Sequence, residues 1–184
     1  MNVVVYCGSS SGIGEKPFGA NAEWLFSYIG GTMRKARNEK ENAIREKMIA
    51  ELYSNQYNQF IGFEILELSP TYSKSRVKCD ERLHNSYGSI HGGALLSFVD
   101  AMAGATGSMS GYYVTTVSAN LNFLLPAVNT EYIYCECMKL KTGKHILVFD
   151  IRVTDDEGNL LDSGEFSFFA SKVAVLDSNL KFGE

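Results

Sequence analysis

The order of the segments from residue 91 onward most constrains what this chain can fold into. One strongly apolar helical run covers about 91–108. Four β-like runs follow, at 114–125, 131–141, 144–155 and 159–172, with no helix between them. Lys141-Thr-Gly-Lys144 and Asp155-Asp-Glu-Gly-Asn159 read as hairpin turns. Consecutive strands without crossover helices pair antiparallel, which excludes a doubly wound parallel sheet. Two further β-like runs, 60–68 and 72–79, precede the helix, with Ser69-Pro70 between them. The small residues of the helical run (Ala94, Ala101, Ala103, Gly104, Ala105, Gly107) suit close packing against a sheet. The expected class is α+β, an antiparallel sheet around one central helix.

The same helix carries the chemistry. Asn85-Ser-Tyr-Gly-Ser-Ile-His91-Gly92-Gly93 leads into it, and Asp100 sits among Leu95, Leu96, Phe98, Val99, Ala101, Met102 and Ala103 with no basic residue nearby in sequence. A carboxylate in apolar surroundings costs several kcal/mol unless it is paired or used. Two glycines at a helix start let a ligand approach backbone N–H groups. A helix N-terminus facing an electrophilic oxygen, together with such a carboxylate, is a plausible hydrolytic site.

Taken together, Asn85, His91-Gly92-Gly93 and Asp100, followed by Ser118 and Asn-Leu-Asn-Phe-Leu-Leu-Pro126, resemble the signature of hotdog-fold thioesterases of the phenylacetate-pathway type. The resemblance covers roughly residues 45–172 and implies an acyl-CoA thioesterase that needs no metal and no cofactor beyond the CoA of its substrate. It implies that the Gly92 N–H polarises the thioester carbonyl and that Asn85 hydrogen-bonds the carbonyl or the water. Asp100 would deprotonate water or attack directly, and Ser118 would help to position the water. His91 and Gly93 complete the substrate-binding set, with the His91 side chain expected to hold the loop. Tyr113 and Phe123 are candidates for lining an acyl pocket, with core or interface packing as the alternative.

Helix geometry adds a constraint of its own. Gly92 and Asp100 are eight residues apart, roughly 12 Å along one helix, so they cannot both touch one carbonyl. Two such helices packed antiparallel about a two-fold axis would bring Gly92 of one copy to Asp100 of the other, so a homodimer with two shared sites is expected. The resemblance extends this to a dimer of dimers. CoA phosphates would lie near cations such as Lys141, Lys144, Arg152 or Lys172. Two other functions compete on the same fold. A dehydratase or hydratase would use a His-x-x-x-x-Pro stretch, which is absent. A non-catalytic acyl-thioester binding protein remains open, since fold does not dictate function.

Composition narrows the partners. The net charge of −4 gives no sign of general nucleic-acid binding, and the longest apolar runs are too short to span a bilayer. With no basic segment followed by a long apolar one at the start, a secretory signal is not expected, and a reducing cytoplasm fits Cys7, Cys79, Cys135 and Cys137 best. Cys135 and Cys137 alternate along a strand and read as an apolar pair rather than a metal site.

The first 36 residues stand apart as an extension. Met-x-Val-x-Val-Tyr-Cys-Gly-Ser-Ser is similar to the start of LOG-type nucleotide phosphoribohydrolases, and Gly8-Ser-Ser-Ser-Gly12-Ile-Gly14 also looks like a dehydrogenase cofactor loop. Neither resemblance continues into a full βαβ unit, so a remnant is expected rather than a nucleotide site. The expected division is an extension over 1–36, a helical lead-in over 37–58, the hotdog domain over 59–175 and a tail over 176–184.

Overall fold

The computed structural model describes residues 39–177; the glycine-rich segment and its two resemblances lie outside them. Helix α1 (Glu39–Ser54) buries Ile44, Met48 and Leu52, one residue per helical turn on a single stripe. A short helix, α2 (Gln56–Ile61), follows directly. The Asn55 side chain accepts from the N–H groups of Tyr57 and Asn58, and Gly62 ends the helix at φ 76°. The strand expected from residue 60 therefore begins at 63, because this cap and this left-handed glycine hold 56–61 as a helical turn.

Six strands make one antiparallel sheet: β1 (Phe63–Leu68), β2 (Tyr72–Lys78), β3 (Tyr112–Phe123), β4 (Tyr132–Thr142), β5 (Ile146–Thr154) and β6 (Leu160–Ala174). Their order is β1-β2-β4-β5-β6-β3. Helix α3 (Gly92–Ser108) touches every strand, so the sheet curls around it. This is the hotdog fold that the resemblance implies. Phe98, Val99 and Met102 of α3 are fully buried, and each such side chain contributes about 1.5–3 kcal/mol of burial.

Registers show how the inner face is built. One row across the sheet runs Ser75, Cys135, Val153, Asp162, Phe123. Cys135 and Cys137 are buried free thiols on this face, and burial pushes the Cys137 thiol up to about 12, so both pack as small apolar residues. β3 is an edge strand, and most of its residues are exposed. Its inner neighbour requires glycine at 164, where a Cβ would collide with the backbone carbonyl of Asn120. Among the described residues, no helix is long and apolar enough to cross a membrane.

Candidate functional site

The start of α3 is set by two side chains. His91 is the N-cap residue, and its Nδ1 accepts a 2.8 Å hydrogen bond from the Gly93 N–H. In the neutral ring this leaves the proton on Nε2. Of the two glycine N–H groups expected to be bare, Gly93's is thus occupied, while Gly92's donates to no group among the described residues. Gly92 also has no room to spare, because a Cβ there would stand 3.3 Å from the Phe123 ring.

Asn85 organises the preceding loop. Its Oδ1 accepts from the N–H groups of Tyr87 (2.9 Å) and Ser89 (3.3 Å), and its Nδ2 donates to the Ser89 hydroxyl. An asparagine that turns its own backbone in this way leaves a single Nδ2 hydrogen for anything else. The His84 and Ile90 backbones pair as an isolated bridge, closing the loop beneath the helix start.

Asp100 is half-buried rather than buried, because it lines an open cleft bounded by α1 on one side and by β3 and β6 of the sheet on the other. The Thr116 hydroxyl donates to its Oδ1 at 2.8 Å. Ser118, expected nearby, has a different neighbour. The β3–β6 ladder slips between Thr116 and Ser118, pairing Thr116 with buried Phe168 but Ser118 with Ser167. Strand alternation turns Ser167 away from α3, so within one protomer Thr116 takes the place beside Asp100. The signal in sequence is only the run Thr115-Thr116-Val117-Ser118, which does not reveal a bulge.

Asp100 opens onto a cleft of about 310 Å³ between α1–α2 and α3. Ala101, Gly104 and Ala105 make its floor, Val114 and Phe168 one wall, and Met48, Glu51 and Leu52 the other. Sequence reasoning missed α1 as a wall of this cleft; its buried stripe was the available sign.

A second carboxylate, Asp162, is 1% exposed, and among the described residues neither of its oxygens finds a hydrogen-bond partner. Desolvation pushes its carboxyl up to about 7. It lies next to Phe123 in the cross-sheet row, yet it does not line the Asp100 cleft. His84 is half-buried, and exposed His145 stacks on Phe169. Among the described residues, no group of three or more His, Cys, Asp or Glu side chains is placed to hold a metal.

Comparison with known proteins bears on the fold and the family. Residues 87–161 match the thioesterase superfamily. A Saccharolobus solfataricus protein, an esterase by name, is 32% identical over 104 residues, which cover 55% of this chain and 68% of that protein. The 1,4-dihydroxy-2-naphthoyl-CoA thioesterase 2 of Arabidopsis thaliana is 27% identical over 105 residues, 56% of this chain and 67% of that one. Among solved structures, the E. coli PaaI protein of the phenylacetic acid degradation operon superposes with a TM-score of 0.66 at 16% identity, covering 72% of this chain and 96% of that one. A hypothetical thioesterase from Streptococcus pneumoniae, solved with coenzyme A, gives 0.62 at 20% identity, covering 67% and 96%. The two structural likenesses speak for the fold, and the two sequence relatives, with the match over 87–161, for the family. The chain belongs to the thioesterase superfamily and is an enzyme of the thioester hydrolase class.

Proposed function

We propose that this protein hydrolyses acyl-CoA thioesters at a site shared between two copies of the chain. The observation that carries the reading is the pairing of a helix-start N–H without a partner, at Gly92, with a cleft-facing carboxylate eight residues further along the same helix, at Asp100. The Gly92 N–H and the positive end of α3 would hold the carbonyl oxygen as charge develops on it. Asp100 would take a proton from water as it attacks the carbonyl carbon, or attack that carbon itself to form a mixed anhydride that water then opens. In either route the C–S bond breaks and CoA leaves as the thiolate. Thr116 would orient the Asp100 carboxylate through the bond it donates.

In this reading His91 holds Gly92 in place from its capping position, and Asn85 shapes the loop while keeping one N–H for the carbonyl or the water. Within one protomer Thr116 takes the positioning role expected of Ser118, which faces away from the Asp100 cleft. The roughly 12 Å between Gly92 and Asp100 along α3 calls for a second copy, and the long exposed edge of β3 is a surface that a second β3 could pair with. A homodimer, alone or doubled, is therefore proposed. The CoA-bound Streptococcus pneumoniae neighbour and the aryl-CoA named for the Arabidopsis relative favour an acyl-CoA substrate.

The test is free-thiol release from benzoyl-, phenylacetyl-, hexanoyl- and palmitoyl-CoA by the full chain and by Asp100→Asn. Turnover that falls by a factor of about 100 or more in a folded variant supports the reading. A folded wild type that binds acyl-CoA but releases no thiol from any of them would favour the non-catalytic binding protein instead.

A further inference from the structure

Tyr87 is 92% exposed, more than any other large apolar residue among those described, yet the backbone that carries it is tightly held. It stands at the tip of a small hairpin closed by the His84–Ile90 bridge. Inside the hairpin the Asn85 N–H donates to the Ser89 carbonyl and the Gly88 N–H to the Asn85 carbonyl. Asn85 Oδ1 accepts from the Tyr87 N–H, and Gly88 makes the turn at a left-handed φ of 80°. The His91 N–H donates to the Leu83 carbonyl, which fixes the hairpin to the start of α3. An aromatic ring presented on an ordered tip loses little freedom when something covers it.

The pairing of two α3 helices decides what lies opposite that ring. Where Gly92 of one copy is level with Asp100 of the other, the two-fold axis passes the residue midway between them, Leu96. Positions 92, 96 and 100 are four apart and share a stripe of the helix, and Leu96 is an apolar residue left 38% exposed on it. Asp100 belongs both to this stripe and to the lining of the cleft, which continues along α3 through Gly104 to Ser108. In an antiparallel pair, the chain that precedes Gly92 runs alongside this later part of the other helix. The partner's Gly104 and the partner's Ser108 stand roughly 6 and 12 Å beyond the level of Gly92. Tyr87, five residues before Gly92, reaches at most about 17 Å from it. The hairpin tip of one copy therefore falls over the open cleft of the other.

We propose that Tyr87 of one copy covers the acyl cleft of its partner and favours acyl groups long enough to touch the ring. This rests on the reading of a thioesterase site shared between two copies. The experiment compares hexanoyl-CoA with acetyl-CoA, whose acyl group is four methylenes shorter, as the ratio of kcat/KM and, by calorimetry, as the ratio of Kd. It uses the full chain, Tyr87→Ala, Asp100→Asn, and mixed dimers of the two variants isolated through a different tag on each chain. The wild type should prefer hexanoyl-CoA by at least about tenfold, and Tyr87→Ala should lower the ratio about fourfold or more, the scale of one buried methylene. In the mixed dimer the one working site takes Asp100 from the Tyr87→Ala chain and its cover from the Asp100→Asn chain, so the ratio should return to the wild-type value. A ratio is unmoved by partial loss of folded protein. An unchanged ratio in folded Tyr87→Ala, or a mixed dimer that keeps the Tyr87→Ala ratio, overturns the proposal. If thiol release is absent or does not depend on Asp100, the Kd ratio decides. Its fall both in Tyr87→Ala and in Val117→Lys, which charges the β3 edge and separates the copies, supports the cover while the hydrolytic reading fails. Asp100-dependent turnover with an unmoved ratio does the reverse.

Discussion

Replacing Asp162 tests what an unpartnered carboxyl costs this fold. Among the described residues its oxygens are buried without a hydrogen bond, and burial pushes its carboxyl up from an ordinary 3.8 to about 7. Because the folded value is raised, the folded state holds its proton over a range where the unfolded chain has lost it. Stability is therefore full below about pH 3.8 and falls as pH rises towards 7 and just beyond. The complete loss is about 4 kcal/mol, from a difference of about three pK units at 1.36 kcal/mol each. Between pH 5 and pH 8 the wild type should lose about 2.5 kcal/mol through this residue. Asp162→Asn keeps the shape and cannot ionise, so its urea-unfolding free energy should fall less over that range, by about the same 2.5 kcal/mol. Asp162→Val also removes the orphaned polar group and should be more stable than wild type at pH 8. Protein concentration must be held constant, since self-association would shift apparent stability. Wild type and Asp162→Asn curves that run parallel from pH 5 to 8 would refute the reasoning, because the carboxyl would then have a partner.

Three further outcomes are expected. Gly92→Pro removes the free N–H at the first helical position, where proline is tolerated and where His91 already has the extended ψ of 130° that proline requires before it. It should cost turnover about 10²–10³-fold with melting within a few degrees of Gly92→Ala, which keeps the N–H; equal activity in the two variants would remove Gly92 from the mechanism. Gly164→Ala forces a Cβ onto the Asn120 carbonyl and should destabilise by about 2 kcal/mol or more through loss of β3–β6 pairing, read by chemical denaturation; an unchanged midpoint would contradict the packing. Val117→Lys places a charge in the middle of the exposed β3 edge, where Val117 is 60% exposed. Light scattering should show it shifted towards monomer, with turnover lost in parallel; an active monomer would refute the shared site.

Much of the architecture was legible because period-2 and period-3.6 patterns act locally. The apolar run from His91, the absence of helices after it and the turn residues between strands are enough to dictate an antiparallel sheet around one helix. The separation of Gly92 from Asp100 also follows from their spacing alone, because the rise per residue of a helix is constant. Contacts between elements distant in sequence were not legible. The bulge that pairs Ser118 with Ser167 and leaves Thr116 on Asp100 depends on how β3 meets β6. The half-burial of Asp100 depends on α1 lying opposite it, which also brings Glu51 to Tyr113 across 62 residues of chain. Asp162 looks ordinary in sequence and becomes an orphan only because the register turns it inward beside Val153. A sequence carries its own periodicity, caps and spacing, but which side chains meet is decided by strand register and by packing between elements far apart in the chain.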